Sequence, residues 1–125
     1  MTKTFKNIEI YNLVNLYQAL LEDFDGLFLP VKANFYFKQN IKILVCKGLE
    51  IDNFRSEIIK KYAKLEDEKY KIEEDNLEKA NKEIEELMSL EQELDIKLIP
   101  LSAFDNIQIT PKMMEIFMPM ISEEE

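Results

Sequence analysis

Eight residues, Phe37, Ile41, Leu44, Gly48, Ile51, Arg55, Ile58 and Tyr62, follow one another at alternating intervals of four and three. Such spacing lines up side chains along one face of an α-helix; a strand returns to the same face every second residue and does not reproduce it. The pattern predicts one long helix over about residues 31–64. A competing signal lies at its start, where Val31, Ala33, Phe35 and Phe37 alternate as they would in a strand. A hairpin over 31–46 is therefore the alternative, but it would have to reverse at Lys38-Gln39-Asn40 without a glycine, and no proline or Asn-Gly pair interrupts residues 31–62. Gly48 weakens a helix interior by about 1 kcal/mol relative to alanine. Its presence predicts a kink or a close contact with another helix.

The remaining elements are arranged around this one. Ile10, Leu13, Val14, Tyr17, Leu20, Leu21 and Phe24 predict an amphipathic helix over 10–24, stopped by a left-handed Asp25-Gly26, with Pro30 suited to the first turn of a new helix. Leu65 to Glu74 is charged and aperiodic, which reads as a connector with a short extended piece at Tyr70 and Ile72. Leu77, Ala80, Ile84 and Leu87 predict a second helix over about 74–90, packed antiparallel on the long one. Leu94, Ile96 and Leu98 alternate with Asp95 and Lys97, giving a strand over about 94–99, with further strands expected over about 4–8 and 106–109. Thr110-Pro111 is a helix start, hydroxyl cap followed by proline, and Pro119 confines that helix to about 111–118. Residues 1–125 are thus expected to form a single α+β domain, mainly α: a long helical hairpin, a small antiparallel sheet and a short C-terminal helix.

Composition narrows the chemistry. With 46% hydrophobic residues the 125-residue chain has material for a core, but it contains no His, no Trp and a single Cys. Without imidazole there is no Ser-His-Asp or Cys-His pair and no His-ligated zinc. Cys46, within the apolar stretch ILVCKG, reads as a buried, inert thiol that cannot close an intramolecular disulfide. The formal charge of −9 is polarised: residues 1–62 carry 9 basic and 7 acidic side chains, residues 63–125 carry 7 and 18. Such a balance disfavours direct contact with nucleic acid or anionic lipid. The N-terminal stretch does not read as a secretory signal, and no apolar run approaches the roughly 18 to 20 residues that span a bilayer, so a soluble protein with no membrane partner is expected.

The residues that stand out suit binding rather than catalysis. Residues 73–95 hold ten carboxylates and two lysines. Glu78, Glu83, Glu85 and Glu86 among them either dock on a basic cleft of a partner or form a solvated face that keeps the protein in solution. Met113, Met114, Phe117, Met118 and Met120 either fill a core or form an adaptable docking surface, for which Met114, Phe117 and Met118 are the candidates. Phe35, Tyr36 and Phe37 cannot all face one core from a helix, which makes Tyr36 a further candidate for an interface. Asp23-Phe24-Asp25-Gly26 lacks the further oxygen ligands of a calcium loop. The pairs Glu73-Glu74 and Glu85-Glu86 have no accompanying phosphate loop and, as adjacent residues on a helix, do not face each other. No catalytic residue, metal or cofactor is expected.

The order of Leu29-Pro30 opening a long helix, Lys61-Tyr62 closing it, Asp67-Glu68 in an acidic connector, Glu86-Leu87, Glu91 and Glu93-Leu94-Asp95-Ile96 leading to Ile99-Pro100-Leu101, and Thr110-Pro111 before a terminal helix resembles small proteins of tailed bacteriophages of low-GC hosts, in families without an assigned function. Lys64-Leu65 departs from that pattern, which has a glycine and a more open turn there. The resemblance implies a non-enzymatic accessory or structural protein of the host cytoplasm or the virion, and it transfers no site residue. Taken with the residues, the expected role is protein–protein interaction, with a phage or host protein or with a second copy of the chain. The alternative is an acidic inhibitor that occupies a basic nucleic-acid-binding site of a host defence enzyme.

Overall fold

In the computed structural model, which describes residues 2–66, 69–71 and 73–122, the long helix α3 runs unbroken over Val31–Tyr62. The alternation at its start does not produce a hairpin. Pro30 precedes it with extended backbone and serves as its N-cap residue rather than lying in its first turn, and the Asn34 N–H donates to the Pro30 carbonyl. Lys60 and Lys61 occupy its last turn, where positive charge suits the exposed carbonyls. Its buried face is Ala33, Phe37, Asn40, Leu44, Gly48, Ile51 and Ile58, while Ile41, Arg55 and Tyr62 from the expected stripe lie half-buried along its margin. Gly48 marks a close contact, because a Cβ placed there would lie 3.2 Å from Val14 Cγ2.

The expected helix over 10–24 is two helices, α1 (Asn7–Ala19) and α2 (Leu21–Asp25). The break falls at Leu20, whose N–H is shared between the Leu16 and Tyr17 carbonyls at 3.2 and 3.1 Å. Reorientation at this point delivers Phe24 to the aromatic core. Gly26 closes α2 with a φ of −85°, so the stop is right-handed rather than left-handed; its N–H reaches back to the Glu22 carbonyl.

Between α3 and the next helix, β2 (Lys64–Glu66) and β3 (Lys69–Lys71) pair antiparallel, with Leu65 opposite Tyr70. The connector is therefore a small hairpin, and Tyr70 is extended as expected. Asp67-Glu68, Ile72 and the terminal acidic run 123–125 lie outside the described residues. α4 (Glu74–Ser89) runs back along α3. Lys61 meets Glu83, while Phe54 and Ile58 share a groove with Leu87 and Leu90, so one helix descends in number as the other rises. The two form the helical hairpin read from the sequence.

The chain then enters β4 (Glu91–Asp95), which pairs antiparallel with β1 (Thr2–Lys6) from Lys6 opposite Glu91 to Thr2 opposite Asp95. The first strand is displaced from the expected 4–8 because Asn7 already begins α1. The expected strand over 94–99 divides in two: β4 ends at Asp95, and β5 (Ile99–Pro100) pairs parallel with β6 (Ile121–Ser122). No strand forms over 106–109. Leu101–Phe104 is a 3-10 turn, Asn106 takes a φ of 63°, and the Ile107 N–H donates back to the Phe104 carbonyl, so the segment folds on itself instead of extending beside a partner. α5 (Pro111–Phe117) has the expected start, with the Met113 N–H donating to Thr110 Oγ1 at 3.2 Å, and ends one residue before the expected 118, giving way to a 3-10 turn over Met118–Met120 that contains Pro119.

The core is centred on Phe24, Phe37, Phe104 and Phe117, joined by the half-buried Tyr17, with ring centroids 4.7 to 6.1 Å apart. Ile10, Leu44, Ile96, Ile99 and Ile116 extend it into an α+β, mainly helical fold. Burial and the neighbouring Asp25 carboxylate both raise the pKa of Tyr17, burial being the larger cause. Among the described residues no helix is long and apolar enough to cross a membrane.

Candidate functional site

Two buried asparagines fix how the strands meet the helices. Asn40, 0% exposed on the core face of α3, donates from Nδ2 to the Lys97 carbonyl and accepts the Lys97 N–H at Oδ1, both at 2.8 Å. It pairs with that backbone as a neighbouring strand would. Asn7 donates from Nδ2 to the Leu87 carbonyl at 2.8 Å, accepts from Gln92 Nε2 at 2.6 Å, and its N–H reaches the Leu90 carbonyl at 2.8 Å. These bonds tie the end of α4 and the entry to β4 onto the start of α1.

A groove of about 540 Å³ opens beside this clamp, between the C-terminal half of α3 and the end of α4. Its apolar surface comes from Phe54, Ile58, Leu87 and Leu90, and its edge from Glu83, Glu86 and Glu91. Phe54 and Leu90 are each 53% exposed, a substantial amount for large apolar side chains on structured segments. Leu90 stays in place because its carbonyl is held by Asn7, while its side chain faces outward.

The three carboxylates differ in state. Glu83 accepts from Lys61 Nζ at 3.0 Å. The Tyr62 hydroxyl, followed by Lys61, holds the Glu83 carboxyl below its ordinary value of 4.5, and the hydrogen bond to Glu83 is the leading cause that raises Lys61. Among the described residues Glu86 and Glu91 have no cation within 4.0 Å. The groove thus combines an apolar floor with two uncompensated negative charges. That combination suits an apolar anchor flanked by cations.

Of the residues singled out in the sequence, the groove brings together Glu83 and Glu86. At 100° per residue Glu78 and Glu85 fall on the opposite side of α4, exposed and away from it. Tyr36 is half-buried in a separate hollow of about 260 Å³ with Pro30, Pro100 and Ala103. Met113 and Met120 are core, Met114 is half-buried and Met118 is exposed. Phe117 is completely buried, with its ring centroid 4.7 Å from that of Phe37, so its role is packing and it offers a partner no surface. Along α3, position 37 is about 25 Å from position 54, which separates the methionine-rich region from the groove. Cys46 is exposed rather than buried, because it lies on the side of α3 opposite the core. Among the described residues no three His, Cys, Asp or Glu side chains gather in a way that would hold a metal ion.

Phe54, Leu90, Asn7 and Asn40 are not among the residues singled out in the sequence. Phe54 carried a signal, three residues after Ile51 and four before Ile58, which puts it at the edge of the apolar face. Leu90 follows Leu87 by three and so continues the apolar spacing of α4 to its end, whereas Asn7 carried no signal, since its role depends on where two distant segments meet.

Comparison with protein-family models, with curated proteins and with solved structures found no match in any of the three. The resemblance to phage proteins therefore rests on the sequence pattern alone.

Proposed function

We propose that this chain is a non-enzymatic interaction protein of the phage accessory type, and that it docks protein segments in the groove between α3 and α4. The observation that carries this reading is the joint exposure of Phe54 and Leu90 beside the carboxylates of Glu86 and Glu91, which have no cation within 4.0 Å among the described residues. Apolar area supplies affinity on burial, and the carboxylates select for lysine or arginine beside the anchor. An inhibitor that only displaced nucleic acid from a basic cleft would need the charge of α4 and would have no use for the two apolar side chains.

A direct test uses a fluorescein-labelled helical peptide with one central phenylalanine flanked by lysines, and its counterpart with glutamates in their place. The lysine peptide is expected to bind and to weaken as salt rises, and the glutamate peptide is expected not to bind. Leu90→Asp should weaken binding about thirtyfold, corresponding to roughly 2 kcal/mol for a buried anchor. Equal binding of both peptides, or unchanged affinity in Leu90→Asp, would overturn the docking reading.

A further inference from the structure

The outer side of α3 displays the kind of side chains that the groove would accept. Opposite the core, Val31 is 88% and Phe35 60% exposed, and the exposed Lys32, Lys38 and Lys42 surround Phe35 at helical spacing. Residues 26–49 hold four lysines and no carboxylate. Phe35 is thus an apolar anchor set among cations, the complement of an apolar floor between Glu86 and Glu91.

The two patches cannot meet within one molecule. Phe35 and Phe54 lie on the same unbroken helix, nineteen residues and about 28 Å apart along its axis. We propose that the chain self-associates through unlike surfaces, the Phe35 side of α3 from one copy seated in the α3–α4 groove of another. The proposal rests on the reading of the groove as a docking surface and names its occupant. A contact between two different patches either closes into a ring or a reciprocal pair, or continues as a filament. Opposite charge steers the two faces together, so assembly weakens with salt.

Sedimentation at low and high salt, on wild type, Phe35→Asp, Leu90→Asp and an equimolar mixture of the two variants, tests this. Wild type is expected to exceed the 14.9 kDa of one chain at low salt and to approach it at high salt. Each variant alone should be monomeric. Their mixture should form a two-chain species, because each retains the patch that the other has lost. Circular dichroism verifies that both fold. If either does not, the paired charge reversals Lys38→Glu with Lys42→Glu and Glu86→Lys with Glu91→Lys replace them: each alone should be monomeric, and their mixture should reassociate, here through both contacts and so without a two-chain limit. A monomeric wild type would overturn self-association, and an oligomeric wild type whose two variants stay monomeric when mixed would overturn the pairing of unlike patches. If the monomer still binds the lysine peptide through Leu90, the docking reading stands without it; if it binds neither, both fall.

Discussion

Asn40 shows what a single side chain contributes to this fold. Its amide satisfies both the N–H and the carbonyl of Lys97 in the only place where the long helix meets that backbone through a buried polar side chain among the described residues. Removing it leaves two backbone groups of Lys97 without that partner at a part-buried site, each costing up to about 1–3 kcal/mol. Asn40→Ala is expected to lower unfolding stability by about 2–4 kcal/mol, while the exposed Asn53→Ala should stay within about 0.5 kcal/mol. Urea denaturation of the two variants decides it; equal small losses would contradict the clamp. Spacing from Phe37 and Leu44 is enough to put Asn40 on the core face, but its partner lies 57 residues away and leaves no local trace. Glu83 permits a pH test. Its lowered pKa means that its contribution is present above 4.5 and is lost as pH falls through the folded value, while the raised pKa of Lys61 keeps the pair intact at least up to 10.5. Glu83→Gln should therefore be less stable than wild type at neutral pH, with the gap closing in acid. A gap independent of pH, in urea midpoints measured from pH 3 to pH 8 or so, would contradict the pairing.

At the scale of elements, α1 and α3 are locked at Gly48. Val14 packs so close that a Cβ at position 48 would lie 3.2 Å from its Cγ2, and Arg55 Nη1 donates to the Tyr11 hydroxyl at 3.3 Å farther along the same contact. Replacing Gly48 by alanine brings about 1 kcal/mol of helix propensity, offset by crowding against Val14. Gly48→Ala alone is expected to be near neutral, and in a Val14→Ala background the same change should stabilise by up to about 1 kcal/mol. Additive effects in that double-mutant cycle would show that the helices do not meet there. The continuous three-four spacing made α3 readable, and the glycine within it announced the contact, because both are properties of one helix. The break at Leu20, the right-handed stop at Gly26 and the fold-back at Asn106 were not readable in this way. Each exists because a distant partner, such as Phe37 and Phe117 for Phe24, decides where a short segment must point.

Across the whole molecule, charge and exposed apolar surface are distributed in opposition. Lysines and Phe35 mark the outer side of α3 near its start, and carboxylates with Phe54 and Leu90 mark the groove near its end. The polarity of the sequence was legible from counts, whereas the groove was not, because it forms only where α4 folds back on α3. Reversing Glu83, Glu85 and Glu86 to lysine should leave the helical circular-dichroism signal intact, since none of the three lies in the core, and should reverse the preference between lysine and glutamate peptides. A docking groove between α3 and α4 is examined most directly by nitrogen-15 NMR of the Phe35→Asp chain as the lysine-flanked peptide is added. Shifts should cluster at Phe54, Leu87, Leu90 and Glu91 and leave Tyr36, Met118, Glu78 and Glu85 unmoved; shifts confined to Glu78 and Glu85 on the outer side of α4, or to Tyr36 and Met118, would contradict it.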